Sequence, residues 1–109
     1  MGQQHSHSLV LPPHLQAHTL QFQDGPFWET HHFHGENMMQ IRTDQQTVLG
    51  TYTCSHAPDG ALVYQYIPVG RSGLFSGRIH PPKRSGQPLR LDLVGEQRQL
   101  QRVPCSLHR

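Results

Sequence analysis

The sequence predicts an all-β fold, a small antiparallel meander of about eight strands that closes into a β-barrel. Turn signals such as Asp24-Gly25-Pro26 and Pro58-Asp59-Gly60 recur along the chain at the spacing of about 8–12 residues that is typical of antiparallel folds. The segments between these signals are short and several of them alternate apolar and polar residues, most clearly at 88–94. No segment shows a sustained helical period.

The elements follow from the chain in order. Residues 1–16 are predicted to form an irregular N-terminal arm, because Pro12 and Pro13 interrupt any helix there. Residues 17–104 form the single barrel domain and residues 105–109 a C-terminal tail. The predicted strands span 17–23, 26–34, 37–43, 46–56, 61–69, 73–79, 88–94 and 97–103.

Short connections favour pairing of each strand with its sequence neighbour, which gives a meander. Closure removes the exposed edges of such a meander, so a barrel is the first prediction and a two-sheet β-sandwich is the alternative. A barrel of eight strands is either filled by side chains or holds one small ligand. A functional site is therefore expected in the barrel interior or at one of its openings.

Composition and charge restrict the partners. The chain has 109 residues, 10 of them histidine, and a net charge of +2, which is too small a positive charge to predict a nucleic-acid partner. No apolar run approaches the length of a transmembrane helix. The absence of a secretory signal and the presence of only Cys54 and Cys105 predict a cytoplasmic protein with free thiols, and Cys54 is expected to be buried.

The stretch from Phe27 to Glu36 contains the most unusual pattern of the chain, since His31, His32 and His34 lie within it. On a strand, His32 and His34 point to one face while His31 points to the other with Glu29 and Phe33. Two histidines separated by one residue on a strand can chelate one divalent metal ion. The candidate metal ligands are His32, His34, Glu36, His56 and His80; the alternative is that these histidines are polar surface residues.

This stretch also resembles, in part, the first metal motif of the cupins, in which a glycine is followed by His-x-His, a glutamate and a second glycine. Gly25, His32, His34, Glu36 and Gly50 supply these residue types. Glu36 follows His34 more closely than in that motif, and Gly73 stands where the second cupin motif has a histidine. The resemblance implies a metal-dependent enzyme, but it does not assign the chain to the family.

Three functions remain open, and no motif identifies catalytic residues. The first is a non-enzymatic binding module for a small apolar ligand or a protein partner, with Trp28, Tyr52 and Tyr66 lining the ligand site. The second is a metal-binding protein or metal-dependent enzyme that uses the histidine set. The third is a structural or adaptor subunit whose strands within 88–103 pair with another chain, including a second copy of itself.

Overall fold

The computed structural model describes residues 11–70 and 74–109, and it confirms the closed antiparallel β-barrel. Each strand pairs with its sequence neighbours, and the first strand pairs with the last. The eight strands are β1 (Thr19–Asp24), β2 (Phe27–His34), β3 (Met38–Thr43), β4 (Thr47–His56), β5 (Leu62–Pro68), β6 (Phe75–His80), β7 (Leu89–Val94) and β8 (Gln99–His108).

The barrel interior is a packed core, because alternate residues of every strand point inward. The buried apolar side chains of the wall are Leu20, Phe22, Phe33, Met39, Ile41, Tyr52, Leu62, Tyr64, Tyr66, Ile79, Leu89, Leu91, Leu93, Cys105 and Leu107. Two inward positions are glycine: a Cβ on Gly50 would collide with the Tyr66 ring, and one on Gly77 with the Tyr64 ring. These glycines let two large tyrosine rings fill the barrel centre.

The N-terminal arm seals one end of the barrel, which we call the closed end. Leu15 is fully buried there. The arm is tied to the end of β2 by hydrogen bonds from the Ala17 amide to the Phe33 carbonyl (2.8 Å) and from the Phe33 amide to the His18 carbonyl (3.0 Å). The predicted irregular structure holds for residues 11–16, and residues 1–10 lie outside the described residues.

The opposite end, which we call the open end, carries the connections β1–β2, β3–β4, β5–β6 and β7–β8. Near this open end, the backbone pairing between β1 and β8 stops at Phe22 and Cys105. The remaining residues of β1, Gln23 and Asp24, have no partner on β8. The wall is therefore divided along a short seam between β1 and β8.

A bulge in β8 lies next to this seam. The register between β7 and β8 shifts between Leu91 and Leu93. Arg102 adopts the left-handed backbone conformation there, with φ 53°, which is rare for a residue other than glycine. The Arg102 amide donates a hydrogen bond to Oδ1 of Asp92 (2.7 Å), which gives this amide a partner where the regular ladder is interrupted.

The structure corrects several boundaries. The eighth strand continues to His108, so the tail predicted for 105–109 is mostly barrel wall, and its pairing with β1 closes the barrel. The two-sheet sandwich is wrong for the same reason. In the described part of the chain, strand β7 has neighbours on both sides, whereas residues 99–104 of β8 pair with β7 alone. The predicted pairing of this segment with another chain therefore stays a prediction. Among the described residues, no helix has the length and apolar composition that crossing a bilayer requires.

Candidate functional site

A chain of buried polar side chains lies inside the barrel near the open end. His31 on β2 is fully buried, as is Tyr64 on β5. The Tyr64 hydroxyl donates a hydrogen bond to His31 Nδ1 (2.9 Å), and His31 Nε2 donates one to Oε2 of Glu29 (2.6 Å). The imidazole is enclosed by the rings of Phe22 and Phe75, with centroids at 5.2 and 5.7 Å.

Arg98, in the connection between β7 and β8, covers this chain from the open end. Its Nη2 donates to Oε1 of Glu29 (2.9 Å) and also lies 3.0 Å from Oδ2 of Asp24. Its guanidinium carbon lies 5.9 Å from the centroid of the Phe22 ring, within the range of a cation–π contact. Arg98 is therefore held by two carboxylates and one aromatic ring at the opening.

The protonation states follow from this geometry. Burial alone would raise the pKa of Glu29, but the hydrogen bonds from His31 and Arg98 and the positive charge of Arg98 lower it overall, so the carboxylate is ionised. Burial lowers the pKa of His31 against the opposing effect of Glu29, so the imidazole is neutral at neutral pH. Burial likewise raises the pKa of the Tyr64 phenol well above its ordinary value. His31 then carries its proton on Nε2, because that atom faces a carboxylate oxygen.

These buried polar side chains hold other groups in position and do not themselves react. Neither His31 nor Tyr64 is accessible, so within this conformation neither group can exchange a proton with a bound molecule. The hydrogen bonds of Tyr64 and His31 hold Glu29, and through Glu29 the guanidinium of Arg98, at the rim of the barrel. The accessible chemistry lies in the depressions around Arg98 and along the seam.

One of these depressions lies at the open end, and we call it the seam groove; it has a volume of about 380 Å³. It follows the gap between β1 and β8 and its walls are largely apolar. Its lining residues are Gln21, Phe22, Gln23, Gly25, Trp28, Val103, Pro104, Cys105 and Ser106. Trp28 forms one side and is 54% exposed, which is unusual for the largest apolar side chain.

A second depression, which we call the rim depression, shares Trp28 with the seam groove and has a volume of about 240 Å³. Phe27 and Arg98 also line it. Asp24, Glu29 and Asp44 bring three negative charges to it against the single positive charge of Arg98. The rim depression is therefore acidic as well as aromatic, and it continues the apolar surface of the seam groove.

The three aromatic residues predicted to line a ligand site do not lie together. Trp28 lines both depressions at the open end. Tyr66 is buried in the core against Phe75, with centroids 4.8 Å apart. Tyr52 is buried as well, and its hydroxyl donates to the Gly35 carbonyl (2.9 Å) near the closed end. Trp28 is thus the member of this set that a ligand could reach without displacing the core.

The predicted metal ligands are only partly brought together. His32 and His34 stack on the outer wall with ring centroids 6.1 Å apart, and His32 is bonded to Thr19 (3.0 Å, from Nδ1). Glu36 and His56 are exposed, the first in the β2–β3 turn and the second at the end of β4.

His80 lies on β6, across the barrel from β2, and its Nε2 donates to Oδ2 of Asp92 (2.7 Å). In the described ranges 11–70 and 74–109, no group of three or more His, Cys, Asp or Glu side chains is placed to hold a metal ion. A metal ion held by His32 and His34 stays a prediction.

The predicted alternation of β2 puts His31 on one face with Glu29 and Phe33, and the structure confirms this. The predicted metal ligands, however, were the other histidines. Two signals mark the inner face: aromatic residues flank it, and a carboxylate stands two residues before the histidine. Tyr64 and Arg98 had no such signal, since they are 33 and 69 residues from their partners His31 and Glu29.

Both cysteines are free thiols, as predicted. Cys105 lies at the floor of the seam groove and is buried, and burial raises its pKa to about 12. The expected burial of Cys54 is wrong, because that residue is exposed near the end of β4. Neither thiol is an activated nucleophile, since burial raises the pKa of both.

Comparisons with known proteins identify no relative. No protein-family model matches the sequence, and no match was found among the curated proteins or among the solved structures.

Proposed function

We propose that this protein is a non-enzymatic binding module for a small, largely apolar molecule that lies in the seam groove against Trp28. The observation that carries the proposal is the groove itself, a depression of about 380 Å³ at the place where β1 and β8 separate. A ligand pocket of this size and composition is within the range of small-molecule sites. The half-exposed indole gives the ligand a large flat surface.

The location differs from that of barrels that enclose their ligand. Here the interior is occupied by Tyr64, Tyr66 and the other core side chains, and the polar chain of Glu29 and His31 takes up the space beneath the opening. A ligand in the centre would have to displace fully buried rings. The seam offers a site that needs no such displacement.

The charges beside Trp28 determine which apolar ligands the seam groove favours. The rim depression adjoins the groove at Trp28, and it carries three carboxylates, Asp24, Glu29 and Asp44, against one guanidinium. An anionic ligand is therefore repelled, and a neutral or positively charged one is favoured. This property distinguishes the proposal from a general affinity for apolar dyes.

The test uses Trp28 as its reporter, because it is the single tryptophan of the chain. We would titrate the full chain with N-phenyl-1-naphthylamine, a neutral probe, and follow energy transfer from the indole to the naphthalene ring. A ligand efficiency of about 0.4 kcal/mol per heavy atom gives a dissociation constant on the order of 10 µM. The sulfonated relative of this probe, 1-anilinonaphthalene-8-sulfonate, should bind about fivefold more weakly at low salt.

Two matched variants locate the site. Ser106→Phe fills the seam groove but keeps the reporter, and it should weaken binding of the neutral probe by about tenfold or more. Ile67→Ala is the control: Ile67 is as exposed as Trp28, at 54%, but it lies on β5, across the barrel from the seam. This variant should leave binding of the neutral probe unchanged. Equal binding by the wild type and Ser106→Phe, or no saturable energy transfer at all, would refute the proposal.

A further inference from the structure

We propose a second, independent site, for a phosphate monoester, in a basic groove on the outer side of the barrel wall. The groove has a volume of about 420 Å³ and is formed by the β6–β7 connection and the β8 bulge. Its cations are Lys83, Arg90 and Arg102, and its apolar surface comes from Pro81, Pro82 and Pro88. We call it the basic groove.

The bulge of β8 places Arg102 in this groove. Its amide donates to Oδ1 of Asp92 (2.7 Å), and its carbonyl accepts a hydrogen bond from Nη1 of Arg90 (3.4 Å). The backbone of Arg102 is thus held from both sides in the left-handed conformation, with φ 53°. Bulges commonly redirect a side chain towards a functional surface, and here the redirected side chain is one of the three cations.

The carboxylate of Asp92 organises this arrangement without neutralising it. Its Oδ2 accepts a hydrogen bond from His80 Nε2 (2.7 Å) and lies 3.8 Å from Nε of Arg102. One negative charge therefore stands against the three positive charges of Lys83, Arg90 and Arg102. The excess of two positive charges balances the two negative charges of a phosphate monoester dianion.

The chemistry of the groove favours a phosphate ester over a free ion. Two guanidinium groups can each donate paired hydrogen bonds to phosphate oxygens, and Lys83 adds a compact positive charge. The volume exceeds what one inorganic phosphate ion needs, and the rigid proline rings provide a flat surface for an organic group. A nucleic acid is disfavoured because the whole chain carries a net charge of only +2.

The experiment is calorimetric titration of the full chain at low salt with phenyl phosphate, inorganic phosphate and phenol. Phenyl phosphate should bind about tenfold more tightly than inorganic phosphate, since its ring meets the prolines, and phenol should show no binding. Added salt should weaken both anions, because the cations are at the surface.

Variants separate a built site from diffuse attraction. Lys83→Gln and Arg102→Gln should each weaken phenyl phosphate about threefold to fivefold. Arg84→Gln is the matched control: it removes the same charge from the same connection, but Arg84 does not line the groove, and binding should change less than about twofold. Lys83 is an exposed residue of the connection, so its variant is expected to fold normally.

Two results would overturn the inference: no saturable heat with either anion, or equal weakening by Arg84→Gln and Lys83→Gln. None of these variants alters the seam groove, so binding of N-phenyl-1-naphthylamine should be the same in all of them. Failure of one site can therefore be distinguished from failure of the other.

Discussion

The hydroxyl of Tyr64 offers a direct test of the buried polar chain, because Tyr64→Phe removes one oxygen and leaves the ring in place. The loss leaves His31 Nδ1 without its donor at a position that is fully buried. An unsatisfied buried acceptor costs about 1–3 kcal/mol, and we expect about 2 kcal/mol here. With roughly 0.23 kcal/mol/K of unfolding entropy for 109 residues, the melting temperature should fall by about 9 °C.

The assay is urea unfolding followed by Trp28 fluorescence and by circular dichroism, which should give coincident transitions. Tyr52→Phe is the matched control, because its hydroxyl donates to the carbonyl of Gly35, an exposed turn residue that water can reach. We expect that variant to lose no more than about 1 kcal/mol. A loss below about 0.5 kcal/mol for Tyr64→Phe would refute the reasoning, since it would mean that His31 Nδ1 finds another partner.

Three further predictions follow from named contacts. Burial lowers the pKa of His31, so the unfolded chain takes up a proton first as the pH falls below the ordinary histidine pKa of 6.5, and the free energy of unfolding should decrease by up to about 1.4 kcal/mol per pH unit. A urea midpoint that stays constant from about pH 7.5 to 5.5 would contradict this. Gly77→Ala should cost about 2 kcal/mol or more, since its Cβ meets the Tyr64 ring, and a urea midpoint close to wild type would show that the ring can move. The double variant His32→Ala/His34→Ala should change stability by less than about 1 kcal/mol, because both rings lie on the outer wall. Elemental analysis of the untagged protein and this variant tests the metal prediction, which equal metal content would exclude.

The strand pattern was available from the sequence because it is a local property. Alternation at Leu89, Leu91 and Leu93 marks one buried face whatever the strand packs against, and glycine or proline turns separate such segments. The eighth strand was predicted to end at residue 103, directly before Pro104, but it continues to His108. In the barrel Pro104 is accommodated near the seam, next to the end of the β1–β8 ladder.

The candidate site could be predicted only in part from the sequence. Trp28 was identified as a candidate for ligand contact, but its exposure at the seam depends on how far β1 and β8 pair, which is a contact between the two ends of the chain. The histidine stretch drew attention to His32 and His34, although the structure buries His31. Alternation assigns residues to two faces and cannot say which face is inside.

The sequence by itself determined that the chain forms short antiparallel strands and that His31 shares a face with Glu29. Only the tertiary structure decided that this face is the interior, and that Arg98 covers Glu29 from 69 residues away. The physical reason is that closure brings together residues with no local relation. A buried ionised carboxylate needs hydrogen-bond donors and a compensating charge, and here His31 and Arg98 supply them to Glu29.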